Sequence, residues 1–154
     1  MYIILKLRKK QNEYAKKRKL NDDVFRLKII IRNNIYQSLF RKSLTKNKKT
    51  EDIIGCSYDD FKLYIESKFE PWMNWDNYGL YDGELFTGWD LDHIVPISSA
   101  TTEEEVISLN HYTNFQPLCS KINRDIKRNK IISDNLILDS NLNDIPEYLD
   151  AKCS

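Results

Sequence analysis

The chain has 154 residues, with 24 Lys and Arg against 23 Asp and Glu, a formal net charge of +1 and 41% apolar residues. This composition suffices for one domain with a modest core and an appended arm, and 12% aromatic residues argue against a disordered chain. Three cysteines, far apart and odd in number, argue against a disulfide scaffold and against a cysteine-built zinc site.

The chain opens with "MYIILKLRKK", in which only four apolar residues in a row precede the charges. This stretch is too short for a signal-peptide core, and no run approaches the roughly 20 apolar residues that span a bilayer. The sequence therefore predicts a soluble, intracellular protein with no membrane partner.

The small net charge conceals a strong asymmetry. Residues 1–50 carry 16 Lys and Arg against 3 Asp and Glu, whereas residues 51–154 carry 8 against 20. A basic block of this density favours an arm that contacts a polyanion, nucleic acid above all. A solvated basic helix without a specific partner is the alternative.

Two helices are predicted in the basic half. Residues 1–20 favour a helix when they contact phosphates, and a second helix is expected over residues 22–42, capped by Asn21 or Asp22. Its apolar stripe recurs at three- and four-residue spacing: Val24, Leu27, Ile31, Ile35 and Leu39. Arg26 and Arg32 lie off the stripe, where they can reach phosphates, and "TKNKKT" reads as a polar linker.

A third helix is predicted from "SYDDF", where Ser57 and Asp60 form a capping box, and it ends before Pro71. The segment after it is aromatic and rich in turns, which favours packing of a small core over base stacking. The remaining order is strand "WDLDHIVPI", helix "TTEEEVISL", strand "NFQPLC" and helix "SKINRDIKRNK", with Ser120 as its cap.

Asp92 and His93 are adjacent in the first strand, so their side chains diverge to opposite faces. A neutral histidine can deprotonate a water at physiological pH, and a hard divalent cation prefers carboxylate and amide oxygens. Asn123, on the helix after the second strand, offers such an amide oxygen. Nearby cations on this helix are expected to grip phosphates: Arg124, Lys127 and Arg128.

Together "DHIVP", "NFQPL" and "NRDIK" resemble the signature of the HNH endonucleases, the ββα-metal or His-Me finger, of the phage and mobile-element type. The resemblance covers roughly residues 20–130, and its specific motif lies within residues 89–130. It implies an α+β fold in which a β-hairpin and a helix form the finger, with additional N-terminal helices.

The resemblance also implies roles for single residues. His93 matches the histidine that activates water, and Asp92 and Asn123 match the metal ligands. Asn114 matches the middle asparagine, which braces the hairpin loop and helps to hold the histidine. The cofactor implied is Mg²⁺ or another divalent cation such as Mn²⁺, and no structural zinc is expected because the cysteine pairs of many such proteins are absent.

These features predict a basic helical arm over residues 1–50 that contacts DNA, a nuclease domain over residues 51–130, and a tail over residues 131–154 to which no role is assigned. The function expected is metal-dependent hydrolysis of phosphodiester bonds in double-stranded DNA, leaving 5′-phosphate and 3′-hydroxyl ends, in a host-cell cytoplasm if the chain is phage-encoded. Two alternatives stay open: a catalytically silent nucleic-acid-binding protein with this fold, and a ribonuclease. Sequence specificity and oligomeric state are left open.

Overall fold

The computed structural model describes residues 2–127 and two short strands, Ile132–Ser133 and Leu136–Ile137, and it describes side chains from residue 3 to residue 127. Helices and small antiparallel sheets make it an α+β protein, as expected. The chain divides into two compact units, residues 1–64 and residues 65–154, called here the N-terminal and C-terminal units. The functional boundaries expected at residues 50 and 130 stay predictions.

The N-terminal unit begins with two long helices, α1 (Tyr2–Asn21) and α2 (Asp23–Phe40). Asp22 separates them and caps α2, since its carboxylate accepts a hydrogen bond from the Phe25 amide at 2.9 Å. Four residues of the predicted apolar stripe of α2 are buried: Leu27, Ile31, Ile35 and Leu39. The second predicted helix is therefore confirmed, whereas the side chains of α1 are almost all exposed over residues 3–21.

Two shorter helices follow, α3 (Thr50–Ile54) and α4 (Tyr58–Glu66), and the division between the units falls within α4. The predicted cap of α4 is confirmed, because the Ser57 hydroxyl accepts from the Asp60 amide at 3.1 Å and donates to the Asp60 carboxylate at 2.7 Å. The sequence did not predict α3. Ile53 and Ile54 are buried, and Gly55 ends the helix in a left-handed conformation.

An aromatic cluster organises the start of the C-terminal unit. Trp89 is fully buried, and the ring centroids of Phe69, Trp75 and Tyr78 lie 4.8–5.2 Å from its own, in tilted or edge-to-face contacts. The Trp89 indole nitrogen also donates to the Asn74 carbonyl at 2.7 Å. The expected role of this aromatic segment as core packing is confirmed.

The hairpin consists of β1 (Trp89–His93) and β2 (Phe115–Cys119), paired antiparallel with Trp89 opposite Cys119 and His93 opposite Phe115. Helix α5 (Glu103–Leu109) lies in the connection and is capped by a box between Thr102 and Glu105. Pro117, which cannot donate to a ladder, is accommodated because β2 is an edge strand in the described part of the chain.

The helix expected after β2 differs from an ordinary α-helix. Residues Ile122–Lys127 form a π-helix, whose hydrogen bonds run from residue i to residue i+5. Ile122 packs with Leu118 and Cys119 in a buried cluster at the base of the hairpin. Within the described part of the chain, no helix is both long and apolar enough to cross a membrane.

Gly88 allows the chain to pass close to a neighbouring turn. A Cβ atom built on it would lie 2.2 Å from the Leu80 carbonyl oxygen and 2.7 Å from that of Asn77, both of them backbone atoms that cannot move aside cheaply. We expect Gly88→Ala to lower the free energy of unfolding by about 3 kcal/mol, because the turn or β1 must shift.

Urea unfolding followed by tryptophan fluorescence measures this cost. Gly83→Ala is the matched control, because Gly83 has φ +88° with nothing within 4 Å of a Cβ, so only the left-handed backbone is strained, at about 1 kcal/mol. Equal costs for the two variants would contradict the close approach at Gly88.

Candidate functional site

The acidic face of β1 points at the π-helix. Asp90 and Asp92 are two residues apart in the strand and therefore share a face. Asp90 contacts Asn123 and Arg124, and Asp92 contacts Lys127. Because each acid has partners on the same short helix, β1 and the π-helix are joined by a row of polar contacts.

Asp92 and Lys127 form a buried ion pair. The Lys127 ammonium lies 2.5 Å from Asp92 Oδ2. The Lys127 side chain is 1% exposed and the Asp92 side chain is 10% exposed. Gln116, opposite Asp92 in the register, donates to the same oxygen at 2.9 Å. Burial raises the pKa of Asp92, although the Lys127 charge and the Gln116 hydrogen bond oppose this rise.

Lys127 makes a second contact that reaches the neighbouring residue. Its ammonium also donates a hydrogen bond to the His93 backbone carbonyl. One cation therefore fixes the Asp92 carboxylate and the His93 peptide relative to the π-helix.

Asn123 lies on the same side of the hairpin but is held by Asp90. Its amide nitrogen donates to Asp90 Oδ2 at 3.2 Å, and Arg124 donates to both oxygens of Asp90, at 2.8 and 2.7 Å. The two-pronged Arg124 contact restrains the Asp90 carboxylate. Asp90 is thus the residue that orients Asn123.

Two oxygens of the expected metal ligands accept no hydrogen bond from the part of the chain that the structure describes. Lys127 and Gln116 occupy Asp92 Oδ2, and within the described residues nothing donates to Asp92 Oδ1. The Asn123 amide donates through its nitrogen, and its Oδ1 likewise accepts nothing from the residues described. A carboxylate oxygen and an amide oxygen are ligand types that suit Mg²⁺.

The His93 ring is oriented by Asn110. His93 Nε2 lies 3.1 Å from Asn110 Oδ1, and the Asn110 amide nitrogen donates to the Val106 carbonyl at 2.8 Å. Since that second bond leaves Oδ1 as the acceptor, the hydrogen-bond network assigns the ring proton to Nε2. Nδ1 then carries the lone pair that can accept a proton.

Burial controls the protonation of His93. Burial above all, and secondarily the nearby Lys127 charge, lower its pKa from 6.5 to about 4, while the Asn110 hydrogen bond opposes the shift. The ring also packs on Phe115, with 4.3 Å between centroids. His93 is therefore a neutral imidazole at physiological pH.

Asn114 lies at the entrance to β2 and holds the turn that follows β1. Its Oδ1 accepts from the Val95 amide at 2.9 Å, and its amide nitrogen donates to the carbonyls of Val95 at 3.0 Å and Leu109 at 2.8 Å. All three contacts join the Asn114 side chain to backbone atoms of the segment that connects β1 to β2. The structure thus places Asn114 between the end of β1 and the end of α5.

The cations expected to grip phosphates have different positions. Lys127 is buried rather than exposed, because the carboxylate of Asp92 draws its ammonium inward, and Arg124 is paired with Asp90. Arg128 lies outside the described residues. In the N-terminal unit Arg32 is exposed, while the Arg26 side chain donates to the Lys19 carbonyl at 2.8 Å.

Sequence reasoning gave no role to Asn110 or Gln116. Gln116 could have been found from the strand register, because cross-strand neighbours of an acid in a hairpin contact it directly. Asn110 carried no local signal of its contact with His93, which depends on how α5 folds back. Asn110 and Asn114 perform separate tasks, because Asn110 contacts the His93 ring and Asn114 holds the turn after β1.

Comparison with known proteins finds relatives of viral origin. No family model matches the chain, and no solved structure matches it significantly. Two proteins of Acanthamoeba polyphaga mimivirus are similar to it: uncharacterized protein L426, 33% identical over 129 residues, and uncharacterized protein L246, 33% identical over 120 residues. The matches cover 82% and 77% of this chain but 52% and 49% of those proteins. The chain therefore spans about half the length of the curated relatives it matches.

The buried pair makes a strong prediction for stability. Lys127→Met leaves the Asp92 carboxylate buried without its cation, and we expect the free energy of unfolding to fall by about 3 kcal/mol. Asp92→Asn combined with Lys127→Met should cost less than the sum of the single variants, because no lone charge remains. Arg124→Met is the control: the Arg124 side chain is 42% exposed, and the loss should be no more than about 1 kcal/mol. Additive single costs in urea unfolding would contradict the coupling.

The lowered pKa of His93 predicts a pH dependence. The unfolded chain binds a proton at His93 near pH 6.5, but the folded chain does so only near pH 4. The contribution of His93 to stability is therefore fully present above about pH 6.5 and is lost as the pH falls toward 4. We expect the stability difference between wild type and His93→Gln to change across this window and to be constant above it. An imidazole NMR titration with a midpoint near 6.5 would refute the shift.

Proposed function

We propose that the chain is a metal-dependent endonuclease of the HNH type, which hydrolyses phosphodiester bonds in DNA. One observation carries the proposal. The neutral imidazole of His93 is hydrogen-bonded through Nε2 to Asn110, and the adjacent Asp92 carboxylate is paired with Lys127, on the helix that also carries Asn123. The order of the elements supports it as well. Hairpin β1–β2 followed by a short helix in contact with β1 is the arrangement expected of a ββα-metal finger.

His93 would act as the general base. Its Nδ1 accepts the proton of the attacking water, and the charge that then develops on the ring is stabilised through the Nε2–H bond to Asn110 Oδ1. Burial keeps the imidazole neutral at physiological pH, so the base is already in its reactive form. An anionic phosphate close to the ring would favour the imidazolium as the proton arrives.

The oxygens of Asp92 and Asn123 fit a divalent cation. Asp92 Oδ1 and Asn123 Oδ1 would hold Mg²⁺ or Mn²⁺, while Lys127 and Gln116 keep the other Asp92 oxygen in place. When bound, such an ion would supply positive charge to the phosphoryl oxygens and to the departing 3′ oxygen. The Asp90 carboxylate accepts a hydrogen bond from the Asn123 amide nitrogen, and this contact would keep the Asn123 amide oxygen turned away from Asp90.

The N-terminal unit would supply affinity for the DNA backbone. The exposed helix α1 carries eight Lys and Arg against a single acid, Glu13, and Arg26 and Arg32 follow on α2. Contacts of this kind bind phosphates without reading bases, and their strength falls steeply with salt. The proposal therefore assigns chemistry to the C-terminal unit and backbone affinity to the N-terminal one.

A plasmid-nicking assay tests the proposal. Supercoiled DNA is incubated with Mg²⁺ and protein, and His93→Ala should lower the rate by about 10²–10⁴-fold, because the general base is lost. His111→Ala is a matched control, since the ring of the only other histidine bonds to the Thr113 hydroxyl at 2.9 Å outside the motif. Circular dichroism establishes that both variants are folded.

The outcomes separate the candidate functions. EDTA should abolish nicking by the wild type, and matched RNA and DNA substrates distinguish a ribonuclease from a deoxyribonuclease. Binding of DNA without nicking would indicate the catalytically silent alternative. Equal nicking by the wild type and His93→Ala would refute the assignment of His93.

A further inference from the structure

A small pocket in the N-terminal unit brings two cations together. It encloses about 290 Å³ and is lined by Ile29, Arg32, Asn33, Tyr36 and Lys46. The first four belong to α2 at spacings of three and four residues, so one face of the helix supplies them. Lys46 comes from the segment between α2 and α3, a different part of the chain.

Lys46 is held at the pocket by a bond to α3. Its ammonium donates to the Thr50 hydroxyl at 2.9 Å, and Thr50 is buried at the start of that helix. Burial, followed by the positive charge of Arg32, lowers the pKa of Lys46. The side chain is therefore kept where solvation and a like charge both disfavour its charged form.

Neither cation has an acidic partner among the side chains described. Over the residues that the structure describes, no carboxylate forms an ion pair with Arg32 or Lys46. Other cations do find acids: Arg18 pairs with Asp22 at 3.0 Å in the N-terminal unit, and Arg124 pairs with Asp90 in the C-terminal unit. Two unpaired like charges around one pocket raise the free energy of the empty site, and an anion placed between them lowers it.

We propose that this pocket binds a phosphate group. A planar guanidinium and an ammonium offer several donors, and both groups recognise the oxygens of phosphates. The Asn33 amide and the Tyr36 hydroxyl add neutral donors, and Tyr36 is steadied by stacking on Phe40 with 5.9 Å between centroids. The phosphate belongs either to a nucleic-acid backbone or to a small soluble compound.

This site uses none of the residues of the hairpin or the π-helix, although its Arg32 is also one of the cations to which the proposed function assigns affinity for the DNA backbone. All measurements are therefore made on the full chain in EDTA, where no cleavage takes place. Failure of the pocket and failure of the nuclease assignment are then independent results.

The test compares two double variants with the same change of charge. Arg32→Gln/Lys46→Gln neutralises the pocket, and Arg41→Gln/Lys48→Gln neutralises two exposed cations of the same region that do not line it. Calorimetric titration with inorganic phosphate and fluorescence anisotropy with a labelled duplex measure binding. The thermal unfolding midpoint of each protein, with and without phosphate, checks folding and reports binding by linkage.

We expect the pocket variant to bind at least one of the two probes about tenfold more weakly than the control variant does. Without phosphate its unfolding midpoint should equal or exceed that of the wild type, because the repulsion between the cations is gone. Suppose that the pocket variant binds DNA more weakly and that its binding constant depends less steeply on salt concentration, by the equivalent of about one phosphate contact or more. This result assigns the site to the nucleic-acid backbone. Weakened binding of inorganic phosphate alone assigns it to a small phosphate compound. Equal binding of both probes by the two double variants overturns the proposal.

Discussion

The buried contact between Asp92 and Lys127 is the constraint on which the geometry of the candidate site depends. Removing two charges from water costs several kcal/mol for each ion, and the cost is offset only when the ions meet in good geometry and their remaining hydrogen bonds are satisfied. Here Gln116 and the His93 carbonyl complete the arrangement. A β-strand and a helix of only six residues are thereby fixed in one relative position.

The alternation of side chains along β1 divides the site into two parts. Asp90 and Asp92 face the π-helix, and His93 contacts α5 and β2 through Asn110 and Phe115. Because neighbours in a strand diverge, the acid and the base are adjacent in sequence without forming a hydrogen bond to each other. An imidazole bonded to Asp92 would have a higher pKa and would be charged in a larger fraction of molecules at physiological pH. The period of the strand thus keeps the two side chains apart, and burial keeps the base neutral.

Sequence reasoning succeeded where the cause is local and failed where it is tertiary. The Asp22 and Ser57 caps, the apolar stripe of α2 and both hairpin strands depend on residues within a few positions of one another, and all are present. The contact of Asn110 with His93 spans 17 residues and that of Lys127 with Asp92 spans 35, and no local pattern encodes either. Lys127, one of several neighbouring cations in the sequence, was predicted to contact a phosphate. In the structure the buried Asp92 carboxylate decides where the Lys127 ammonium lies. The π-helix is equally invisible to a periodicity of 3.6 residues.

The charges around the hairpin nearly cancel. Asp90 is matched by Arg124 and Asp92 by Lys127, while burial keeps His93 uncharged at physiological pH. A divalent cation approaching Asp92 would therefore meet a carboxylate whose charge Lys127 already balances, and among the described charged groups that pair at the hairpin a lone phosphodiester would meet no excess of positive charge. Under the proposed function, neither the divalent cation nor the phosphodiester would be strongly attracted to the site alone. When both are present, their opposite charges would neutralise each other. Coupled binding of cation and DNA follows from this balance. Under the proposed function, the excess positive charge that attracts DNA from a distance would come from residues 1–50, where cations outnumber acids by 16 to 3.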